Sequence, residues 1–271
     1  MTVGQLLSGL GLGDRWVVKL FEPWFLEHYH TERRVLDHLQ CGLPVPVPRL
    51  HAAEQLEGWG YVVMSRLAGR PLSRCWMDLE SADRARIAEQ VGGLAAAIHG
   101  LPTLGLESLK PSWEPFVSAQ RRGCVARHRG HGVVSESLLH EIQQGVEPQR
   151  PGGPQVLLHT ELTDQNLLVD RVAGRWVLSG LVDFEPSMLG AAEYDLVAAA
   201  LFVCRGDRAL LRRLLESYGY TEPELGPELA ERLLVHTLLH RYSHLGFFLE
   251  QIHEGAMPER LAELGALFFP L

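Results

Sequence analysis

The chain has 271 residues, 46% apolar and 21% charged, with a formal net charge of −8; this is the balance of a folded chain with one large domain or two modest lobes. The acidic balance disfavours nucleic acid as the main partner and suits a cationic small molecule. The sequence opens without a basic segment leading into a sustained apolar run, and no stretch of about eighteen apolar residues occurs, so neither a secretion signal nor a membrane span is expected.

In chain order, a strand from Val3 to Leu7 is the first expectation, followed by a turn at Gly11-Leu12-Gly13-Asp14. The β-rich run Arg15-Trp16-Val17-Val18-Lys19-Leu20-Phe21 then reads as a strand. Residues 24–40 predict a helix, stopped by Gly42 and the rigid Pro44-Val45-Pro46-Val47-Pro48. Trp59-Gly60-Tyr61-Val62-Val63-Met64 is a second strand, leaving through Ser65-Arg66-Leu67-Ala68-Gly69-Arg70-Pro71, whose Gly and Pro suggest a hinge. The spacing over 81–100 predicts a helix with Ser81 as its N-cap. Residues 113–147 predict two helices, and the run from Arg150 to Pro154 breaks the chain before the next strands. Beyond Gly190 helices are expected over 192–204, 207–218, 227–253 and 257–268.

Four cysteines, Cys41, Cys75, Cys124 and Cys204, are widely spaced and read as reduced thiols of a cytoplasmic protein. His236, His240 and His244 would line one face of the long helix, yet no acid-rich pattern beside them makes a known metal motif. The cluster Arg121-Arg122 to Arg127-His128-Arg129 reads as a solvated helix face. Of the 25 basic residues only Lys19 and Lys110 are lysines, so a Lys inside an apolar strand invites a specific role for a compact ammonium.

The strongest signal is Leu157-Leu158-His159-Thr160-Glu161-Leu162-Thr163-Asp164-Gln165-Asn166, with Asp183-Phe184-Glu185 beginning seventeen residues after Asn166. Apolar runs flank both pieces, the pattern of short strands delivering polar groups to a loop. A His, an acid two positions on, an Asn five further and a later Asp-Phe reproduce the catalytic-loop spacing of kinase-like phosphotransferases.

With Val17-Val18-Lys19-Leu20-Phe21, Pro44 to Leu50, Val63-Met64-Ser65-Arg66 and Tyr194-Asp195-Leu196, these blocks resemble the aminoglycoside phosphotransferase family, above all the hygromycin B phosphotransferases. The family consists of bacterial small-molecule kinases of protein-kinase-like fold. The resemblance implies an α+β, two-lobed architecture: a small, N-terminally shortened nucleotide lobe over 1–66 and a larger, mainly helical lobe over 67–271. It implies ATP and Mg2+ as cofactors, and transfer of the γ-phosphate to a hydroxyl of a small, cationic acceptor, aminoglycosides being candidates.

By the same resemblance Lys19 grips the nucleotide phosphates, Glu32 rather than Glu27 holds that lysine, and Met64, Ser65, Arg66 and Leu67 form the hinge that reads adenine. Glu161 is the acid that orients the acceptor hydroxyl, with Asp164 as a substitute base. Asn166 and Asp183 bind magnesium, and His159 and Asp195 organise the loop. Glu136, Glu141, Glu250 and Glu254 fall where the family builds its acceptor pocket.

Two departures stand out. The family usually carries Asp where this chain has Glu161, one methylene longer, and a shift of about 1 Å can cost about a hundredfold in an alignment-dependent step. Only eighteen residues precede Lys19, too few for two strands and a phosphate-covering loop; Gly9, Gly11 and Gly13 read better as an ordinary turn. These departures favour, as alternatives, a weakly active or inactive pseudokinase that binds nucleotide or ligand; a kinase of a sugar, amino alcohol or homoserine-like metabolite is the other option.

Overall fold

The computed structural model describes residues 9–39, 42–146, 154–253 and 255–271. Strand β1 (Gly9–Leu12) runs antiparallel to β2 (Trp16–Phe21) across a turn at residues 13–15, with Gly9 opposite Lys19. The expected Val3–Leu7 strand lies outside the described residues. Gly9 and Gly11 belong to β1, so the glycine run forms a strand and a turn, as the ordinary-turn reading anticipated in part.

Pro23 opens a single 3-10 turn, after which α1 spans Leu26–His38, shorter than the expected 24–40 because the proline ring fixes the entry. Strands β3 (Leu50–Leu56) and β4 (Trp59–Ser65) form a hairpin whose two turn residues, Glu57 and Gly58, both have positive φ (51° and 83°). That is the backbone a two-residue turn needs to match the twist of its strands. The sheet order is β1-β2-β4-β3. Side chains alternate along β2, so buried Lys19 and Phe21 share the face that meets α1. On α1, Tyr29, Glu32 and Leu36 are buried at helical spacing, which sets one carboxylate inside an apolar stripe.

The remainder is mainly helical. Helix α2 (Ser81–His99) starts at Ser81 itself: Glu80 occupies the N-cap, without a side-chain bond, and the expected Ser81 cap is thereby corrected. Gly92 of α2 faces α6 (Arg208–Tyr218); a Cβ there would lie 2.1 Å from Leu214 O, so the close helix crossing requires glycine. Helices α3 (Trp113–His131) and α4 (Glu136–Val146) fill the expected 113–147 segment. A small sheet joins β5 (Arg70–Pro71), β7 (Leu167–Val172) and β8 (Arg175–Leu181), while β6 (Val156–Leu158) pairs with β9 (Met188–Gly190). Helix α5 (Ala192–Ala199) continues as one π-helical stretch to Cys204. This is a two-lobed α+β, kinase-like fold, with a small antiparallel sheet lobe set against a helical lobe. Among the described residues no helix is long and apolar enough to cross a membrane.

The predicted helix over 227–253 is two helices, α7 (Pro227–Leu239) and α8 (Leu245–Glu250); α9 follows at Leu261–Phe268, four residues later than the expected start. The break has a physical cause. Leu238 O accepts from Arg127 Nη2 at 2.8 Å and His128 Nε2 at 3.3 Å, with Cys124 Sγ at 3.5 Å, so side chains of α3 satisfy a carbonyl at the end of α7. His240 then adopts extended backbone (φ −60°, ψ 142°). The three histidines therefore do not share a helix face. His236 lies near Glu193, His240 bonds Thr160 O of the loop after β6, and His244 accepts Phe247 N–H as the N-cap of α8.

Candidate active site

Strand β6 delivers His159 to the start of the loop, and the buried ring is held on both nitrogens. Its Nε2–H donates to Val182 O (3.0 Å), and its Nδ1 accepts Glu161 N–H (3.3 Å). Burial pushes the imidazole below its usual pKa, in keeping with that neutral tautomer. Asp195, in the first turn of α5, accepts the N–H groups of His159 (2.9 Å) and Thr160 (2.5 Å) and His99 Nε2–H (3.1 Å). Burial would raise that carboxyl, but the His99 bond and charge override it and hold it below the usual range. With three donors around it, Asp195 clamps a backbone in which Thr160 has φ +69°.

Asn166 donates its side-chain N–H to Glu161 O at 3.1 Å, which commits the nitrogen and leaves the amide oxygen as its ligand-capable atom. Asp164 is committed elsewhere: its carboxylate meets Arg205 Nη2 at 2.7 Å and its carbonyl accepts Ser73 N–H. That engagement removes the substitute-base option and makes Asp164 a brace between the loop and the helical lobe.

Strand β8 leads to Asp183, whose φ of +75° is left-handed for a residue with a side chain. Its Oδ1 lies 2.5 Å from Lys19 Nζ, and the same ammonium lies 2.7 Å from Glu32 Oε2. Residues 164 positions apart thus meet at one charge. Burial opposes a charged Lys19, yet Glu32, Asp183 and Glu185 override it and raise its pKa. Asp183 is held below the usual carboxylate range, Lys19 outweighing its burial. Burial pushes Glu32 up while Lys19 pulls it back. Glu27, the rival partner, is exposed.

Two groups beside this cluster were missed in the sequence. Glu185, two residues past Asp183, pairs with His28, which lies one turn before Glu32 on α1. That bond to Glu185 raises the His28 pKa against its burial. The Asp-x-Glu spacing was a usable signal for Glu185. His28 had none.

Glu161 is half-buried, and burial together with the charges of Asp183 and Glu185 pushes it up to about 7. Arg241 and Lys19 pull the other way, and Tyr242 feels the Glu161 charge; Arg241 and Tyr242 come from the stretch between α7 and α8 and lay hidden inside the expected helix. A carboxyl poised near neutral pH can accept a hydroxyl proton, and a carboxylate–amide pair of oxygens beside an ammonium can meet a charged phosphate chain.

Over residues 64–67, Ser65 N–H bonds Arg49 O and Arg66 N–H bonds Arg15 O, both at 2.9 Å, while Met64 is buried in β4. Among the described residues no acceptor takes the Leu67 N–H. The other candidates go elsewhere. Glu136 pairs with Arg129, and Glu141 with Arg260 and Leu261 N–H, as ties between surface segments. Glu250 is exposed, and Glu254 lies outside the described residues. Arg122 and Arg129 are exposed as expected, but Arg127 and His128 turn inward to Leu238 O. Cys75, Cys124 and Cys204 are free and buried, whereas Cys41 lies outside the described residues.

Comparison with known proteins agrees with this geometry. The model of the phosphotransferase enzyme family (APH) matches residues 7–231. Among solved structures, the GDP and kanamycin complex of APH(2")-IIia superposes with a TM-score of 0.69 at 16% identity, covering 97% of this chain and 92% of that one. The apoenzyme of the macrolide 2'-phosphotransferase MphH from Brachybacterium faecium gives 0.61 at 20% identity, covering 98% and 92%. The streptomycin–ATP ternary complex of APH(2")-IIa gives 0.58 at 17% identity, covering 87% and 86%. At these identities the likeness is one of fold. A curated relative, the lysine-specific demethylase JMJ21 of Arabidopsis thaliana, is 23% identical over 215 residues; the match takes in 64% of this chain and only 23% of that protein's length.

Proposed function

This chain belongs to the phosphotransferase enzyme family, and from that premise we propose that it moves the γ-phosphate of ATP to a hydroxyl of a small molecule. The observation that carries this reading is the meeting of Lys19 with Asp183 beside the loop that holds Glu161 and Asn166. Lys19, fixed by Glu32, grips the phosphates. Glu161 orients the acceptor hydroxyl and takes its proton, its extra methylene accommodated by a backbone pinned through His159. His159 and Asp195 hold the loop. Leu67 N–H reads the adenine edge at a hinge formed with Met64, Ser65 and Arg66, at the junction of a nucleotide lobe over 1–66 and a catalytic lobe over 67–271.

Asp183 and the oxygen of Asn166 would hold magnesium. Among the described residues no group of three His, Cys, Asp or Glu gathers to hold a metal by itself; that suits an ion which takes one or two carboxylates and completes its shell with waters and phosphate oxygens. When bound, it would neutralise charge on the phosphates.

Carboxylates at 161 and 185 and a net charge of −8 favour an acceptor carrying an amino group. Kanamycin, streptomycin and gentamicin, bound by structural neighbours, are the first to try. The enzyme works in the cytoplasm, where ATP is at hand, and three free buried thiols support that location.

An acceptor screen that detects phosphorylated product, run on the wild type and on Asp183→Ala, tests the proposal. Product from the wild type and none from the variant supports it. Thermal stabilisation by ATP and magnesium with no product from any acceptor would leave a nucleotide-binding protein and overturn the reading.

A further inference from the structure

The stretch between α7 and α8 is held to the catalytic loop. His240 Nε2–H donates to Thr160 O at 3.1 Å, and its ring stacks on Tyr194 with centroids 4.6 Å apart. Arg241 N–H donates to the Tyr194 hydroxyl at 2.8 Å. This fixed backbone carries Arg241, a permanent cation whose charge acts on Glu161.

The half-buried arginines of the chain fall into two kinds. Arg205 meets Asp164 and Arg86 meets Asp83, whereas Arg127 meets the neutral oxygens of Gln120 and Leu238 and Arg84 that of Trp76. Arg241 is of the second kind, and it is the arginine whose charge acts on Glu161. Among the described residues no carboxylate lies within salt-bridge distance of Arg241. Its Nε is buried and without a hydrogen-bond partner, its Nη2 meets the soft sulfur of Met188 at 2.8 Å, its guanidinium lies over the Phe116 ring at 5.4 Å, and its side chain also bonds the neutral hydroxyls of Tyr194 and Tyr242. Such a cation, partly taken from water and given no anion, costs stability unless a ligand supplies one. The fork of N–H donors matches a carboxylate.

Its neighbours Phe116, Met188 and Tyr194 all belong to the helical lobe. Its charge acts on Glu161, His28 and Tyr242. The leading influences on Lys19 are instead Glu32 and Asp183. Through His240 on Thr160 O and its own N–H on Tyr194, Arg241 is tied to the loop that carries Glu161, the acid that the reading above sets against the acceptor.

Resting on the kinase reading above, we infer that Arg241 reads a carboxylate on the acceptor while Glu185 and Glu161 face its amino group, so that the preferred acceptor is a zwitterionic hydroxy amino acid. A polycationic sugar would bring like charge to Arg241.

Matched pairs test this: serine against ethanolamine, homoserine against aminopropanol, with kanamycin as the polycation. Calorimetry on the nucleotide-free protein should show the carboxylated member of a pair binding about tenfold tighter or more, and Arg241→Gln should abolish that difference while Arg241→Lys restores part of it. Retained stabilisation of Arg241→Gln by ATP and magnesium shows that its fold and donor side survive. Equal affinity within the pairs, tighter binding of kanamycin, no measurable binding of either carboxylated member at millimolar concentration, or an Arg241→Gln effect confined to the KM for ATP would overturn the inference. Failure of the wild type to respond to ATP would overturn the kinase reading instead, and the calorimetric comparison stands apart from it.

Discussion

The two sides of the proposed site handle charge in opposite ways. On the donor side Lys19, Glu32 and Asp183 neutralise one another at 2.5–2.7 Å, and Lys19 and Glu32 are buried. On the acceptor side Glu161 and Arg241 are half-buried, and neither has an ion-pair partner within reach among the described residues. The first arrangement joins strand β2, helix α1 and residue 183 through one ammonium; the second leaves its charges without a counter-ion among the described residues. The largest expected effect follows on the donor side. Asp183→Ala removes both the ammonium's anchor and a phosphate-neutralising oxygen, and kcat/KM should fall about a thousandfold or more. Steady-state kinetics on a variant whose circular dichroism matches the wild type checks it, and a loss under tenfold would erase the distinction between the two sides.

Glu32→Ala sharpens the same contrast through stability. It leaves a buried ammonium with one partner instead of two, and breaking a buried pair from one side costs about 3–5 kcal/mol. Because Asp183 still contacts Lys19, the loss should fall toward the lower end. A urea titration reads it as a lower midpoint at unchanged slope. A cost near zero would mean that the donor cluster contributes nothing to the fold.

The two sides also differed in how far the sequence disclosed them. His159, Glu161, Asn166 and Asp183 sit on one loop and one strand end, so their spacing is local and readable, and Lys19 declared itself as a rare lysine in an apolar strand. Their roles also needed only chemistry already implied by that spacing. The acceptor side is assembled from α1, the 185 turn and the 240–242 stretch, and no periodicity links those segments. The helical pattern over 227–253 concealed the break because its cause lies about 110 residues away, in the α3 side chains that take over Leu238 O. Likewise Asp164 looked like a spare base until Arg205, 41 residues on, claimed it.

Glu161 offers a smaller effect with a defined sign. Burial, then Asp183 and Glu185, favour its protonated form and move it from the ordinary carboxylate range to about 7. The proton-accepting form therefore accumulates as pH rises through 7, and kcat/KM should drop about tenfold per unit on the acid side. Replacing Glu185 with Gln removes one negative neighbour, so the midpoint should move down and the rate at pH 6 should rise relative to that at pH 8. A profile flat from pH 6 to 8 in the wild type would show that Glu161 does not titrate there.

The smallest effect concerns the far end of the stretch that carries Arg241. His244 caps α8 by accepting Phe247 N–H at 3.0 Å and stacks on His131 at 4.2 Å, while the near end is held by His240 on Thr160. If position 241 is set by the near end, His244→Ala should cost about 1 kcal/mol, the usual value of a lost N-cap, and leave kcat and both KM values within about twofold. His244→Asn, which keeps an acceptor at the cap, should recover most of that stability. Urea midpoints and acceptor kinetics on the two variants check this. A rise in acceptor KM alone in His244→Ala would move control of Arg241 to the α8 end and make the whole stretch, rather than its bond to the catalytic loop, the element that sets the acceptor side.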